Sequence, residues 1–192
     1  MAEKKEFTAI LLAGGKSSRM MEDKGLIELQ GKKMIEHTIE KLKEITEYII
    51  IITKNPAYRQ FGYPCFGDIY KDLGPLGGIY TGLVNSTTEI NLVLGCDTPF
   101  LSSAILKSLI DKSNSEDVLV TVHRGKTEPL CAVYKRKCAP HFQSFLEKGK
   151  LKVTDAFAGL HMAVMNFDYE KWVINDEFTN INTPEELKKY KK

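Results

Sequence analysis

Residues 11 to 24 read LLAGGKSSRMMEDK, an apolar run that ends in two glycines and passes into lysine, serine, arginine and a second lysine. Gly14 and Gly15 carry no Cβ and can take positive φ, so backbone N–H groups there can approach an anion closely. Lys16, Ser18, Arg19 and Lys24 add side-chain donors of the kind that neutralise a triphosphate. The spacing is neither the phosphate loop GxxxxGK followed by Ser or Thr nor the dinucleotide fingerprint GxGxxG. Taken alone, the stretch fits an ordinary solvated loop between a strand and a helix equally well.

Two acidic stretches carry the complementary chemistry. In VLGCDTPFL (93–101), Asp97 follows the end of an apolar strand, where burying a carboxylate without a partner is costly. Mg²⁺ prefers carboxylate oxygen and takes phosphates and waters as its other ligands, so one aspartate facing a cationic loop suits it. An aspartate ahead of Pro99 is also an ordinary turn or capping residue. In GDIYKDLGPLGGIYTGL (67–83), Asp68 and Asp72 precede a Gly-Pro turn and a glycine-rich helix start. A carboxylate there can accept from the N1 and N2 donors of guanine; an acidic loop with closely packed glycines reads the same way. Cys96 fits a small packed residue better than a nucleophile. His123, Arg124 and Lys126 fit a hairpin tip, and His37 and His141 fit surface or packing positions.

The elements that must position these residues alternate. FTAILLA (7–13), YIIIIT (48–53) and INLVLGCD (90–97) are continuous apolar runs, the signature of strands buried on both faces. Ile35, Ile39, Leu42 and Ile45 form a helical stripe, and PLGGIYTGLV (75–84) and SSAILKSLI (102–110) predict two further helices. DVLVTV (117–122) and PLCAVY (129–134) predict strands joined through HRGKTE. Helix is expected at 140–147 and near 153–158, strand at 160–167 and at EFTNIN (177–182). TPEELKKYK closes the chain as a helix with Thr183 as N-cap and Pro184 in the first turn. Alternating strands and helices predict an α/β fold around a mostly parallel sheet, whose functional loops leave the carboxyl ends of the strands. Those ends fall after Ala13, Thr53 and Leu94.

A chain of 192 residues suits one domain over 1–192, and its 43% hydrophobic and 27% charged residues are those of a globular protein. The formal net charge of +2 gives no global electrostatic case for nucleic acid, so anion binding must be local. No apolar stretch is long enough to span a membrane. The charged start MAEKKEF lacks a secretory pattern, and Cys65, Cys96, Cys131 and Cys138 show no CxxC spacing. A reduced, cytoplasmic setting is expected.

Taken together, LLAGGKSSRM…DKGL…GK, GPLGGI, GCDTPFLS, EPLCAVY and NINTPEEL resemble the molybdenum cofactor guanylyltransferase (molybdopterin guanylyltransferase) family, whose opening motif is LAGGxSxRMGxDK. The likeness runs over about residues 7 to 190. It implies a three-layer Rossmann-like nucleotidyltransferase fold with a mostly parallel central sheet, and transfer of GMP from GTP to molybdopterin, with Mg²⁺ as cofactor and pyrophosphate released. By resemblance, Leu12, Ala13, Gly14 and Gly15 form the nucleotide loop, Arg19 and Lys24 act on the phosphates, Asp97 holds the magnesium, and Asp68 contributes to the nucleotide site. Thr53 or Asn55 fills the position after the second strand. Asn180 and Asn182 match the asparagines of the pterin side. Molybdoenzymes or other cofactor-biosynthesis proteins are the implied partners. The chain departs from the motif at Met21-Glu22, where the family prefers a glycine. Relatives that use CTP on the same pterin, or other small acceptors, share the pattern; a non-catalytic nucleotide carrier would keep the glycine loop without needing Asp97.

Overall fold

The computed structural model describes residues 5–14, 23–170, 172–173 and 176–190. Strand β1 (Phe7–Leu12) is followed by the short hairpin β2 (Glu28–Leu29) and β3 (Lys32–Lys33), helix α1 (Met34–Lys43), β4 (Ile49–Ile52) and β5 (Cys65–Phe66). Then come α2 (Gly74–Asn85), β6 (Ile90–Gly95), α3 (Ser103–Lys112), β7 (Val118–His123), β8 (Lys126–Lys135), α4 (Ala139–Glu147), β9 (Met162–Asn166) and α5 (Pro184–Tyr190). The main sheet has the order β5-β4-β1-β6-β8-β7-β9. β1 pairs in parallel with β4 on one side and β6 on the other, and β8 is the antiparallel member, pairing that way with both β6 and β7.

β1 is apolar apart from Thr8 because both of its faces are covered. Phe7, Ala9 and Leu11 point into a core shared with Ile35, Ile39 and Leu42 of α1 and with Ile105 and Leu109 of α3. Ile10 and Leu12 point the other way, into a core built with Leu76, Ile79 and Leu83 of α2 and Phe142 and Leu146 of α4. The result is three layers, helices over each face of one sheet. Its expected class is confirmed.

Local departures from the sequence reading have physical causes. The β7–β8 hairpin turns on Arg124 and Gly125 alone, both at positive φ (51° and 68°), with the Asp168 carboxylate accepting from both N–H groups. β8 therefore starts at Lys126, ahead of the expected 129. The expected strand at 177–182 does not form. Phe178 packs in the first core, whereas Ile181 packs with Ile27, Leu29, Met34 and Leu187 in a separate cluster. A spacing of three between those two buried residues cannot face one side of a strand. Around 153–158 only a short 3₁₀ turn, Asp155–Phe157, is present. β2, β3 and β5 are too short to leave a periodic signal.

Gly82 marks the closest approach of α2 to the sheet. A Cβ there would press on the buried Ile10 side chain, with Ile10 Cδ1 at 2.9 Å. Ile10 is β-branched and enclosed, so it has little room to yield. Gly82→Ala is expected to lower stability by about 1–3 kcal/mol despite the better helix propensity of alanine. Urea denaturation followed by circular dichroism measures this; an unchanged or raised midpoint would show that the interface can relax.

Candidate functional site

The carboxyl ends of β1, β4 and β6 open onto a cleft of about 600 Å³. Leu12, Ala13 and Gly14 line it from β1, Ile52, Thr53, Lys54 and Asn55 from β4, and Gly95, Cys96 and Asp97 from β6. Asp68 and Gly78 close one side, and Asp23 and Lys24 the other. The structure thus brings together most of the residues singled out from the sequence. Gly15 and Arg19 lie outside the described residues, as do Lys16, Ser18 and the departure at Met21-Glu22.

Asp97 sits on a turn fixed at several points. Thr98 Oγ1 donates to the Gly95 carbonyl at 3.3 Å, and Lys41 Nζ reaches from α1 to donate to the Pro99 carbonyl at 2.6 Å. The N–H of Ile181 donates to the Asp97 carbonyl at 2.9 Å. A Cβ on Gly95 would lie 2.7 Å from Asp97 Oδ1, so only glycine lets the carboxylate fold back over the strand end. Burial pushes the Asp97 carboxyl above its usual value, and nearby Lys24 partly opposes this. Lys24 Nζ stands 3.9 Å from Asp97 Oδ2, too long for a hydrogen bond. A desolvated carboxylate with one loosely spaced cation beside it fits a hard divalent ion. Among the described residues no group of three or more His, Cys, Asp or Glu side chains is arranged to hold a metal. Asp97 is the residue of this set that could hold a divalent ion, with phosphates and water as further ligands.

Lys24 is aimed by the residues on either side of it. The Asp23 carboxylate accepts from Asn55 Nδ2 at 3.0 Å and from the Tyr58 hydroxyl. Tyr58 is fully buried, and burial holds its hydroxyl protonated far above the ordinary phenol range. Gly25 leaves the space that the Tyr58 hydroxyl occupies, since a Cβ there would collide with it. Lys24 Nζ donates to Asn182 Oδ1 at 2.5 Å. Asn182 thus stands beside Lys24, and Asn180 lies two residues earlier, half-buried in the same segment.

Of the two alternatives after β4, Thr53 and Asn55 both line the cleft. Thr53 Oγ1 accepts from the Asn55 N–H at 3.2 Å, while Asn55 uses Nδ2 on Asp23 and Oδ1 on the Ala57 N–H. Asp68 is half-buried, and that burial raises its pKa, with Lys54 opposing and Asp72 adding to the shift. Lys54 itself pairs with Asp72 at 3.3 Å. Gly78 lets the end of β1 approach, because a Cβ on it would lie 3.2 Å from Leu12 Cδ2 and 3.7 Å from Asp68 Oδ1.

Three contributors were not visible in the sequence. Tyr58 and Lys41 look like packing and surface residues until the fold brings them to Asp23 and Pro99. Glu128 is the third: Val120 pairs with Ala132, but the next residue, Thr121, pairs with Glu128. Pro129, Leu130 and Cys131 bulge between them, bringing Leu130 to the cleft wall. The Glu128 carboxyl is raised by burial, with Lys126 opposing and Asp97 adding to it.

The chain that builds this cleft has clear counterparts in sequence and fold. The MobA-like NTP transferase domain family matches residues 9–163. A probable molybdenum cofactor guanylyltransferase of Flavobacterium johnsoniae is 41% identical over 181 residues, 94% of each chain. The molybdenum cofactor guanylyltransferase of Vibrio campbellii is 34% identical over 186 residues, covering 94% of this chain and 93% of its own. Among solved structures, molybdopterin-guanine dinucleotide biosynthesis protein A from Archaeoglobus fulgidus superposes with a TM-score of 0.80 at 24% identity, over 96% of each chain. The fold extends to 4-diphosphocytidyl-2C-methyl-D-erythritol synthase of Anaerococcus prevotii, with a TM-score of 0.71 at 15% identity, over 98% of each chain. The match over residues 9–163 and the identity over nearly the whole length place this chain in the MobA-like NTP transferase family, among the molybdenum cofactor guanylyltransferases.

Proposed function

We infer that the cleft binds GTP with Mg²⁺ and transfers its GMP moiety to the terminal phosphate of molybdopterin. The observation that carries this reading is the placement of Lys24 and Asp97 3.9 Å apart in the strand-end cleft, with Asp68 lining the same cleft beside Gly78. A phosphate oxygen of the acceptor attacks the α-phosphorus of GTP. A new P–O bond forms there as the bond to the β-phosphate oxygen breaks, and pyrophosphate leaves with the electron pair. The attacking oxygen is already ionised near neutral pH, so no general base is required. No histidine lines the cleft among the described residues.

The protein's task is therefore positioning and charge neutralisation. Mg²⁺ bound through Asp97 supplies Lewis-acid stabilisation of charge on the phosphate oxygens. Lys24 adds positive charge beside that position, and Arg19 is proposed to act with it. Leu12, Ala13, Gly14 and Gly15 offer backbone to the nucleotide, with Thr53 or Asn55 at the next strand end. Asp68 is the proposed selector of guanine, accepting from N1 and N2. Asn180 and Asn182 are assigned to the pterin side.

Two outcomes test this. Asp97→Ala is expected to reduce pyrophosphate release from GTP and molybdopterin by about 10²–10³-fold, as removal of a charge-stabilising group does, while the protein remains folded by circular dichroism. Retained turnover would remove Asp97 from the chemistry and favour a nucleotide carrier. Asp68→Asn is expected to raise KM for GTP by about tenfold, since one charge-assisted hydrogen-bond pair is lost, and to leave the weaker use of CTP almost unchanged. Equal losses with both nucleotides would contradict base selection by Asp68.

A further inference from the structure

The C-terminal segment meets the charged centre twice. Ile181 donates its N–H to the Asp97 carbonyl at 2.9 Å, and Asn182 Oδ1 accepts from Lys24 Nζ at 2.5 Å. Neither residue belongs to a helix or strand, so something else must fix the segment. On one side Ile181 is fully buried against Ile27, Leu29, Met34 and Leu187. On the other, the Glu186 carboxylate accepts from the N–H of Asn182 at 2.7 Å and of Thr183 at 3.0 Å.

Part of this is ordinary helix capping. Thr183 Oγ1 accepts from the Glu186 N–H at 3.2 Å, and Glu186 answers on the Thr183 N–H, the reciprocal capping box at the start of α5. Capping alone would be complete with those two bonds. The third, from the Asn182 N–H, is the shortest of the set and holds the residue whose side chain holds Lys24. A lysine left free samples many rotamers, and freezing it against a phosphate costs entropy. An acceptor that already fixes Nζ lowers that cost before the nucleotide arrives.

Building on the nucleotidyl-transfer reading, we propose that Asn182 and Glu186 are positioning residues: Glu186 fixes the Asn182 turn, and Asn182 presents Lys24 Nζ beside Asp97. The chain of action runs from a half-exposed carboxylate on α5 to a phosphate-facing lysine 162 positions away in sequence (186 against 24).

The test reads Lys24 directly. The full chain, without nucleotide, is treated with a limiting acetylating reagent, and the rate at Lys24 is followed by peptide mass spectrometry. Asn182→Ala and Glu186→Ala are expected to label Lys24 about fivefold faster, the ratio expected when one hydrogen bond of typical net strength is lost. Glu186→Gln, whose amide oxygen still accepts, stays within about twofold of the parent, and Thr183→Ala lowers the melting temperature as a lost cap does while leaving the Lys24 rate unchanged. In a second arm, calorimetry with GTP and Mg²⁺ is expected to show weaker binding for Glu186→Ala in the parent background and no further weakening in a Lys24→Met background. Unchanged labelling in Glu186→Ala, or equal weakening in both backgrounds, overturns the proposal. A parent protein that binds no GTP overturns the nucleotidyl-transfer reading instead, and the labelling arm still decides whether the segment holds Lys24.

Discussion

A carboxylate brought to the end of a buried strand must be desolvated, and the structure is arranged around that cost at Asp97. The strand that delivers it, β6, is covered on both faces, and the side chain, 26% exposed, opens only partly into the cleft. Gly95 makes room for the carboxylate, Lys41 and Ile181 hold its turn, and Lys24 supplies a cation 3.9 Å away. A tight salt bridge would satisfy the charge and leave nothing for a ligand. At 3.9 Å Lys24 offsets part of the charge on Asp97 without a direct hydrogen bond to it.

The sheet order determines what can face that centre. β1 lies between β4 and β6, so the loop after β1 is flanked by the two other strand ends that carry polar residues. Parallel pairing points all three ends to the same edge, the usual place for ligands in open α/β sheets. β8 enters antiparallel, which brings its bulge, and with it Glu128 and Leu130, to that edge from the opposite direction. The small hairpin β2–β3 and α5 meet at a third, outlying cluster. That cluster anchors the C-terminal segment beside the Lys24 flank of the cleft.

The legible parts of the sequence were those whose signal is local. β1, β4 and β6 announce themselves because burial on both faces demands continuous apolar residues, and the Thr183 cap with Pro184 announces α5. Gly14, Asp68, Lys24 and Asp97 were legible through motif order, and the fold assembles them on one cleft. The clamp on Asp23 was not, because Asn55 and Tyr58 reach it from 32 and 35 residues away. EFTNIN has strand-like composition, yet Phe178 and Ile181 serve different cores, so tertiary packing overrides that preference. Glu128 depends on a register shift that no periodicity encodes.

The central claim is that one cleft holds the triphosphate between the end of β1 and Asp97. The most direct measurement is a crystal structure of the protein with a non-hydrolysable GTP analogue and Mn²⁺, the metal located by anomalous scattering. The account predicts an anomalous peak bonded to the Asp97 carboxylate and to phosphate oxygens, Lys24 Nζ on the triphosphate, and the guanine edge facing Asp68. A nucleotide bound elsewhere, or in this cleft with Mn²⁺ away from Asp97, would contradict it.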